Sequence, residues 1–505
     1  MNDNGTTLRK NLLKDGHMPD ILDTIANLSN DEVFTPPELV NNILDLFPEE
    51  VWSNKDLKWL DPATKTGIFL REIATRLMTG LRDEFPDEEE RRQHIFQNML
   101  YGIAITDLTA LMSRRSLYTS KYANGKKSIA RFKDENGNIS YDNRPHTYIG
   151  DACIYCGNKK GGELDRDETK ERHAYNFIHL TKEEAEKMHF DVIVGNPPYQ
   201  LSDGGGTGSS AMPIYQHFIR QAKIISRRYI AFIIPARWFA GGKGLDDFRE
   251  EMLNDKHIKE LVDYPNAGDC FPGVSIEGGV LYFIRDEQYS GDCKITTMLH
   301  DDEKSVMHRP LSEYDTFIRW NEAVPILRKV QALHESTLGT KVTNRNPFAL
   351  TGKTELDDID NPDKIKIYAH QKEGYILRTK IAKNVELIDK YKVLISKAHG
   401  IGAYPDSVIS KPIVAPPRSA CTETYLVVGS FKTLEEAENL AKYAKTRFFR
   451  FLLSLRKLTQ NITANSYAFV PDLPMGRVWT DEKLYERYGI TPKEQRFIES
   501  LVKEM

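Results

Sequence analysis

The 505-residue chain sets 69 Lys and Arg against 73 Asp and Glu, for a formal net charge of -4, and 40% of its residues are hydrophobic. That length suits two or three domains at ~150 residues each, and with no apolar run of ~18 residues and a polar start, Met1-Asn2-Asp3-Asn4, neither membrane insertion nor secretion is expected and a cytoplasmic protein is. Five cysteines, odd and sparse, argue against a disulfide framework, and mild acidity leaves any contact with nucleic acid to local basic clusters.

Residues 1–33 read as a polar, loosely helical extension, too short for a nuclease fold and without a Pro-Asp…Asp/Glu-x-Lys constellation. Leu57-Lys58-Trp59-Leu60 predicts a short buried strand, Asp61 to Phe69 a turn with one glycine, Gly67, and Leu70 to Leu81 a helix. A strand, a glycine-containing turn and a helix let backbone N–H groups approach a ligand, although an ordinary strand-to-helix connection looks the same. Leu100 to Ile105 predicts the next strand, and Thr106 or Asp107 the cap of a helix over Leu108 to Tyr118. The basic group Arg114, Arg115, Lys121, Lys126 and Lys127 reads as solvent-facing. Cys153-x-x-Cys156, followed by His173 and His179, has the spacing of half a zinc site; no second cysteine pair follows, so the favoured reading is two reduced thiols and no metal.

The apolar run Phe190 to Gly195 ends in Asn196-Pro197-Pro198-Tyr199. This places an amide side chain and a stiffened backbone carbonyl beside an aromatic ring. An exocyclic amine on a heteroaromatic ring is a poor nucleophile because its lone pair is delocalised. The Asn196 side-chain oxygen and the Pro197 carbonyl can accept both amine hydrogens and improve their geometry as the nitrogen attacks, while Tyr199 stacks on the ring. A plain proline turn after a strand is the alternative. Asp203 to Ser210 is a glycine-rich loop, either a linker or a cover over the site.

Tyr229 to Ile234, ended by Pro235, and Gly279 to Ile284 read as buried strands of a doubly wound α/β sheet spanning about 34–300. From about 301 to 505 the texture changes to a mixed α+β domain, with polar strands such as Lys364 to Tyr368 and Ile413 to Ala415. Lys442, Lys445, Arg447, Arg450, Arg456 and Lys457 alternate with apolar residues, as on a helix with one buried and one cationic face; the cationic face either meets phosphates or is simply solvated. Lys397, His399, Arg418, Thr422 and Asn465 lie in polar turns.

The order of Phe34-Thr35-Pro36, the Asp61 turn, Gly150-Asp151-Ala152 and Asn196 to Tyr199 resembles the S-adenosylmethionine-dependent adenine-N6 DNA methyltransferases of restriction-modification systems, in the arrangement of the gamma class. The resemblance implies a Rossmann-like methyltransferase sheet followed by a target-recognition domain. It implies that Phe34, Thr35, Pro36, Asp61, Ala63, Thr64, Gly67 and Asp151 bind the cofactor, with Asp107 for the ribose and Asn196 shared with catalysis. Asn196, Pro197 and Tyr199 carry the chemistry, and Pro198, Tyr199, Lys397 and Arg418 meet the substrate. The chain departs from the family at Lys65, where a small residue is usual, and at Ala104, where an acid usually ends the second strand. The implied partners are double-stranded DNA with a specific sequence and a separate cognate endonuclease. Cys270 lacks the Pro-Cys setting of cytosine-C5 enzymes. The rival readings are a methyltransferase of RNA bases or protein glutamine amides, and a DNA-binding specificity protein with a degenerate cofactor site.

Overall fold

A computed structural model describes residues 34–142, 144–155, 160, 175–201, 212–239, 241–242, 244–272, 274, 276–299, 304–400, 405–457 and 460–505. The extension 1–33, Cys156, His173 and the loop 203–210 lie outside the described residues. The chain divides into two compact units, Met1–Asp302 with Met307–Glu313, and Glu303–Val306 with Tyr314–Met505. No helix of the described residues is long and apolar enough to cross a membrane.

Helix α1 (Pro37–Leu44) starts on Pro37, whose fixed φ suits a first helical position, and buries Leu39, Val40, Ile43 and Leu44 along one stripe. Strand β1 (Trp59–Thr64) is buried at every position, and α2 (Ile68–Gly80) follows after a turn ending at Gly67. The strand therefore runs through Asp61, Pro62, Ala63 and Thr64, which the sequence assigned to a turn. Proline is tolerated there because the register of β1 against its neighbour β2 (Leu100–Ala104) shifts between Asp61 and Thr64, so no regular ladder needs its N–H. Helix α3 (Glu88–His94) precedes β2, and α4 (Asp107–Tyr118) follows it, capped by Thr106 through a capping box with Thr109.

Short strands β3 (Ile139–Ser140), β4 (Tyr148–Ile149) and β5 (Ala152–Cys153) come next, then α5 (Lys182–Lys187) and β6 (Phe190–Gly195). The pair β7 (Gln200–Leu201) and β8 (Met212–Pro213) leads to α6 (Tyr215–Ile225), β9 (Ser226–Pro235) and α7 (Asp246–Leu253). Strands β10 (Ile258–Tyr264), β11 (Val280–Asp286), β12 (Cys293–Met298) and β13 (Lys304–Arg309) complete a nine-stranded sheet in the order β13-β12-β10-β11-β9-β6-β1-β2-β3.

The sheet is mostly parallel, with β11 antiparallel to both β9 and β10. Val192, Val194, Ala231 and Ile233 share one core cluster with α1 and α2. The alternate residues Ile193, Ile230, Phe232 and Ile234 are equally buried on the other face, where α6 lies against β9. Burial on both faces explains why these strands read as continuous apolar runs. The sheet is the expected doubly wound α/β architecture.

The chain lays β1, β2 and β3 in one direction and then returns to place β6 on the opposite side of β1. The direction of winding thus reverses between β1 and β6. In open α/β sheets that reversal leaves a crevice at the carboxyl ends of the two strands, where ligands bind.

The second unit is α+β. After α8 (Ala323–Gln331), strands β14 (Lys364–Ala369), β15 (Lys372–Leu377), β16 (Tyr391–Ser396), β17 (Ile413–Ala415), β18 (Ser419–Cys421) and β19 (Tyr425–Phe431) form two three-stranded sheets, β15-β14-β18 and β17-β16-β19. Helix α9 (Leu434–Lys445) covers β16 and β19, followed by α10 (Arg447–Ser454), α11 (Asp481–Tyr488) and α12 (Pro492–Leu501).

Candidate functional site

A shallow, solvent-open pocket lies at the β1/β6 crevice. It gathers Phe34, Thr35, Asp61, Ala63, Gly67 and Asn196, six of the residues the sequence selected, together with Lys65, Thr66, Ile68 and Phe69. Asn196 leaves the end of β6 buried at 4% exposure, and its Nδ2 donates to the Thr35 hydroxyl at 3.1 Å across 161 residues of chain. That contact turns the Nδ2 edge of the amide toward Thr35.

Asp61 is the electrostatic centre of the pocket. Burial raises its carboxyl to about 7, against the lowering effects of the Ala63 N–H, the Lys65 charge and Thr64. The Ala63 N–H donates to Asp61 Oδ1 at 3.1 Å. Gly195, at the end of the neighbouring strand, is required by this carboxylate: a Cβ there would sit 2.8 Å from Asp61 Oδ1. Facing the same space, α2 begins at Gly67 with no side-chain cap, so its first N–H groups and the positive end of its dipole are available to an anion.

Gly67 has φ +75° and a Cβ there would lie 3.0 Å from the Ser113 Cα. Gly67→Ala is therefore expected to lower unfolding free energy by about 1–3 kcal/mol in denaturant titration, combining left-handed strain with backbone crowding. An unchanged midpoint would show that the turn relaxes.

An acid and an uncapped helix start on one pocket are the complement of a zwitterion. Phe34, 43% exposed, adds an aromatic face suited to a cationic or apolar group. This donor set fits the amino-acid end of S-adenosylmethionine.

Other expected residues fall elsewhere. Thr64 does not line the pocket and pairs its hydroxyl with Ser113 at 2.9 Å, and Pro36 serves as the residue before α1. Asp107 is the first residue of α4, after the Thr106 cap, and does not line the pocket. Asp151 is exposed at the tip between β4 and β5 and does not line it either. Pro197, Pro198 and Tyr199 are buried; the Tyr199 ring is 7% exposed, its hydroxyl faces the Asn196 amide, and burial holds it well above the usual phenol range. Cys270 is buried and its thiol is pushed up by desolvation, the opposite of an activated nucleophile.

In the second unit Lys397 lies 3.5 Å from Glu423, and the exposed Arg418 donates to the carbonyls of Asn361, Pro362 and Lys364. His399 Nε2 meets the Ser407 hydroxyl at 2.7 Å, Thr422 is buried, and Asn465 is exposed. The basic helix expected over 442–457 is two helices, and half of its cations are internal. Arg450, 1% exposed, donates to the carbonyls of Lys445, Thr446 and Ser407. Lys457 donates to those of His399 and Val408, and Arg456 makes a bidentate pair with Asp315. Such groups satisfy buried carbonyls and are not presented to phosphates. Arg114 is likewise buried, donating to the Ile139 carbonyl at 3.2 Å, whereas Arg115, Lys121, Lys126 and Lys127 are exposed as expected.

Residues 98–271 match the Eco57I restriction-modification methylase family. An uncharacterized adenine-specific methylase of Mycoplasma pneumoniae is 42% identical over 313 residues, covering 57% of this chain and 74% of that protein. Among solved structures, a nuclease-deletion mutant of the Type ISP restriction-modification enzyme LlaGI with a DNA substrate mimic aligns with TM-score 0.48 and 12% identity, over 85% of this chain and 45% of that one. A DrdV-DNA complex aligns with TM-score 0.46 and 11% identity, over 100% of this chain and 60% of that one. The chain thus spans less than two thirds of the length of both solved structures. With the pocket at the strand reversal, Asn196 in its lining and the 42% identical adenine-specific methylase, the chain belongs to the adenine-specific DNA methyltransferases of the Eco57I restriction-modification methylase family.

Proposed function

We propose that this protein transfers a methyl group from S-adenosylmethionine to the exocyclic N6 of an adenine flipped out of a specific site in double-stranded DNA, as the modification enzyme beside a separate endonuclease. The observation that carries the reading is the Asn196 amide, oriented by Thr35 on the same pocket that holds Asp61, Phe34 and the start of α2. S-adenosylmethionine, when bound, supplies an electrophilic methyl on a sulfonium. Asp61 and the α2 N–H groups hold its amino-acid end, and Phe34 covers the methyl-bearing part. Asp107 and Asp151 are proposed for the ribose and adenine only if the segments carrying them close over the occupied pocket.

A stacked adenine cannot present its amine to this crevice, so the nucleotide leaves the duplex at a cost of a few kcal/mol. Asn196 Oδ1 and the Pro197 carbonyl then accept the two amine hydrogens, drawing the nitrogen lone pair out of the ring and toward the methyl carbon. Pro198 shapes the wall and Tyr199 stacks on the base once its ring is uncovered. The buried Cys270 fits direct transfer without a covalent enzyme intermediate. The second unit is assigned target recognition, with Lys397 and Arg418 as contacts to be tested.

Incubating the purified protein with S-adenosylmethionine and plasmid DNA, then reading modification base by base, is expected to show N6-methyladenine at one recognition sequence. Methyl transfer to RNA or to a glutamine amide with DNA unmodified would replace this reading. Absence of donor binding in calorimetry would favour a specificity protein with a degenerate cofactor site.

A further inference from the structure

We propose that His146, Cys153 and His179 form a zinc site that ties the β4/β5 hairpin to the turn Asn176–His179 ahead of α5. The three ligand atoms lie within 4.8 Å of one another, and Cys153 Sγ is 3.5 Å from His179 Nε2. Tetrahedral zinc with bonds of about 2.3 Å to sulfur and about 2.0–2.1 Å to nitrogen separates those two atoms by about 3.6 Å. The observed spacing already has that value.

The surroundings are those of a ligand shell. His179 Nδ1 lies 2.8 Å from the Tyr175 carbonyl, a contact that requires the proton on Nδ1 and aims the Nε2 lone pair at the thiol. The His146 and His179 rings meet edge to face with centroids 5.3 Å apart, which brings the third donor to the cluster. Cys153 and His179 are 3% and 4% exposed, which draws these two ligands out of bulk solvent, and with three protein donors the fourth tetrahedral position falls to a water. A thiolate with two imidazoles selects a borderline-soft ion over magnesium or calcium.

The hairpin also needs such a tie. Its strands are two residues each, joined through Gly150 at φ +63° and Asp151, and Ile149 is 73% exposed, so it has almost no core of its own. Two-stranded hairpins of this size are marginal in water without a cross-link. Binding forms the zinc–sulfur bond as the Cys153 S–H proton leaves to solvent, with no change of oxidation state. Cys156, three residues on in the sequence, lies outside the described residues and is not counted among the ligands. The competing description is a thiol-to-imidazole hydrogen bond with no ion.

Untagged protein, purified with reductant, loaded with zinc and dialysed exhaustively, should retain about one zinc per chain by mass spectrometry of the metal. Cys153→Ser and His179→Gln should each lose it while keeping the wild-type far-ultraviolet circular dichroism. Cobalt exchange into the wild type should give tetrahedral d–d bands and a thiolate charge-transfer band that Cys153→Ser abolishes. Where a variant fails to fold, the wild-type cobalt spectrum decides, since a missing thiolate band overturns the site. Zinc-free wild type after loading, or zinc that survives both substitutions, overturns it equally.

Discussion

Asn196→Ala should lower the methylation rate by about 10²–10³-fold, equivalent to roughly 3–4 kcal/mol of transition-state stabilisation, the range for deleting one preorganised partner of a developing charge. Donor affinity should stay within about threefold, because Asp61, Phe34 and the α2 start remain. The partition between rate and binding is the test. Single-turnover transfer measured beside calorimetric donor binding separates them, and a variant turning over at the wild-type rate would remove Asn196 from catalysis. Thr35→Val provides the companion measurement. It deletes the hydroxyl that accepts from Asn196 Nδ2 at 3.1 Å, so the amide keeps its chemistry but loses its orientation. A loss of about tenfold is expected, with the two substitutions non-additive because they act through one group.

The parts of this fold written in local pattern were the parts legible beforehand. Strands β6, β9 and β11 announce themselves as apolar runs because helices cover both faces of the sheet, and Asn196 to Tyr199 follows the first of them in the sequence itself. What depends on a distant neighbour was not legible. Whether Asp61 to Thr64 is turn or strand is settled by the register shift against β2, which nothing in the local sequence records. The basic stretch around Arg450 misled for a related reason. A cation at helical spacing looks the same whether it faces water or reaches carbonyls contributed by Ser407, forty-three residues away in the chain. The spacing of Cys153 and Cys156 with His173 and His179 reads as two reduced thiols, and His146, which the fold brings to Cys153 and His179, stands upstream of that pattern.

Asp61→Asn should weaken donor binding by about 10–100-fold at pH 8 while making the donor-free protein more stable, the signature of a charge held ready for a cationic ligand. The carboxyl is buried and raised to about 7 from an ordinary 3.8, so over that interval the unfolded chain is ionised while the folded one keeps its proton. The folded state therefore binds more protons there, and stability falls as pH rises from about 4 to about 7, levelling off above. Asparagine carries no such penalty and keeps an oxygen for the Ala63 N–H, so its stability advantage should reach on the order of a few kcal/mol at pH 8 and vanish near pH 4. Binding runs the other way. A cationic donor prefers the ionised form, so wild-type affinity should fall as pH drops below about 7 and be flat above it, whereas the asparagine variant should bind weakly at every pH. Calorimetry and thermal denaturation across pH 4–8 measure both limbs together. Equal donor affinity in the two proteins would mean that Asp61 makes no contact with the donor's charge. A stability gain that does not change with pH would mean that its carboxyl is not the group titrating near 7, and the pocket would then have to find its cation-binding group elsewhere.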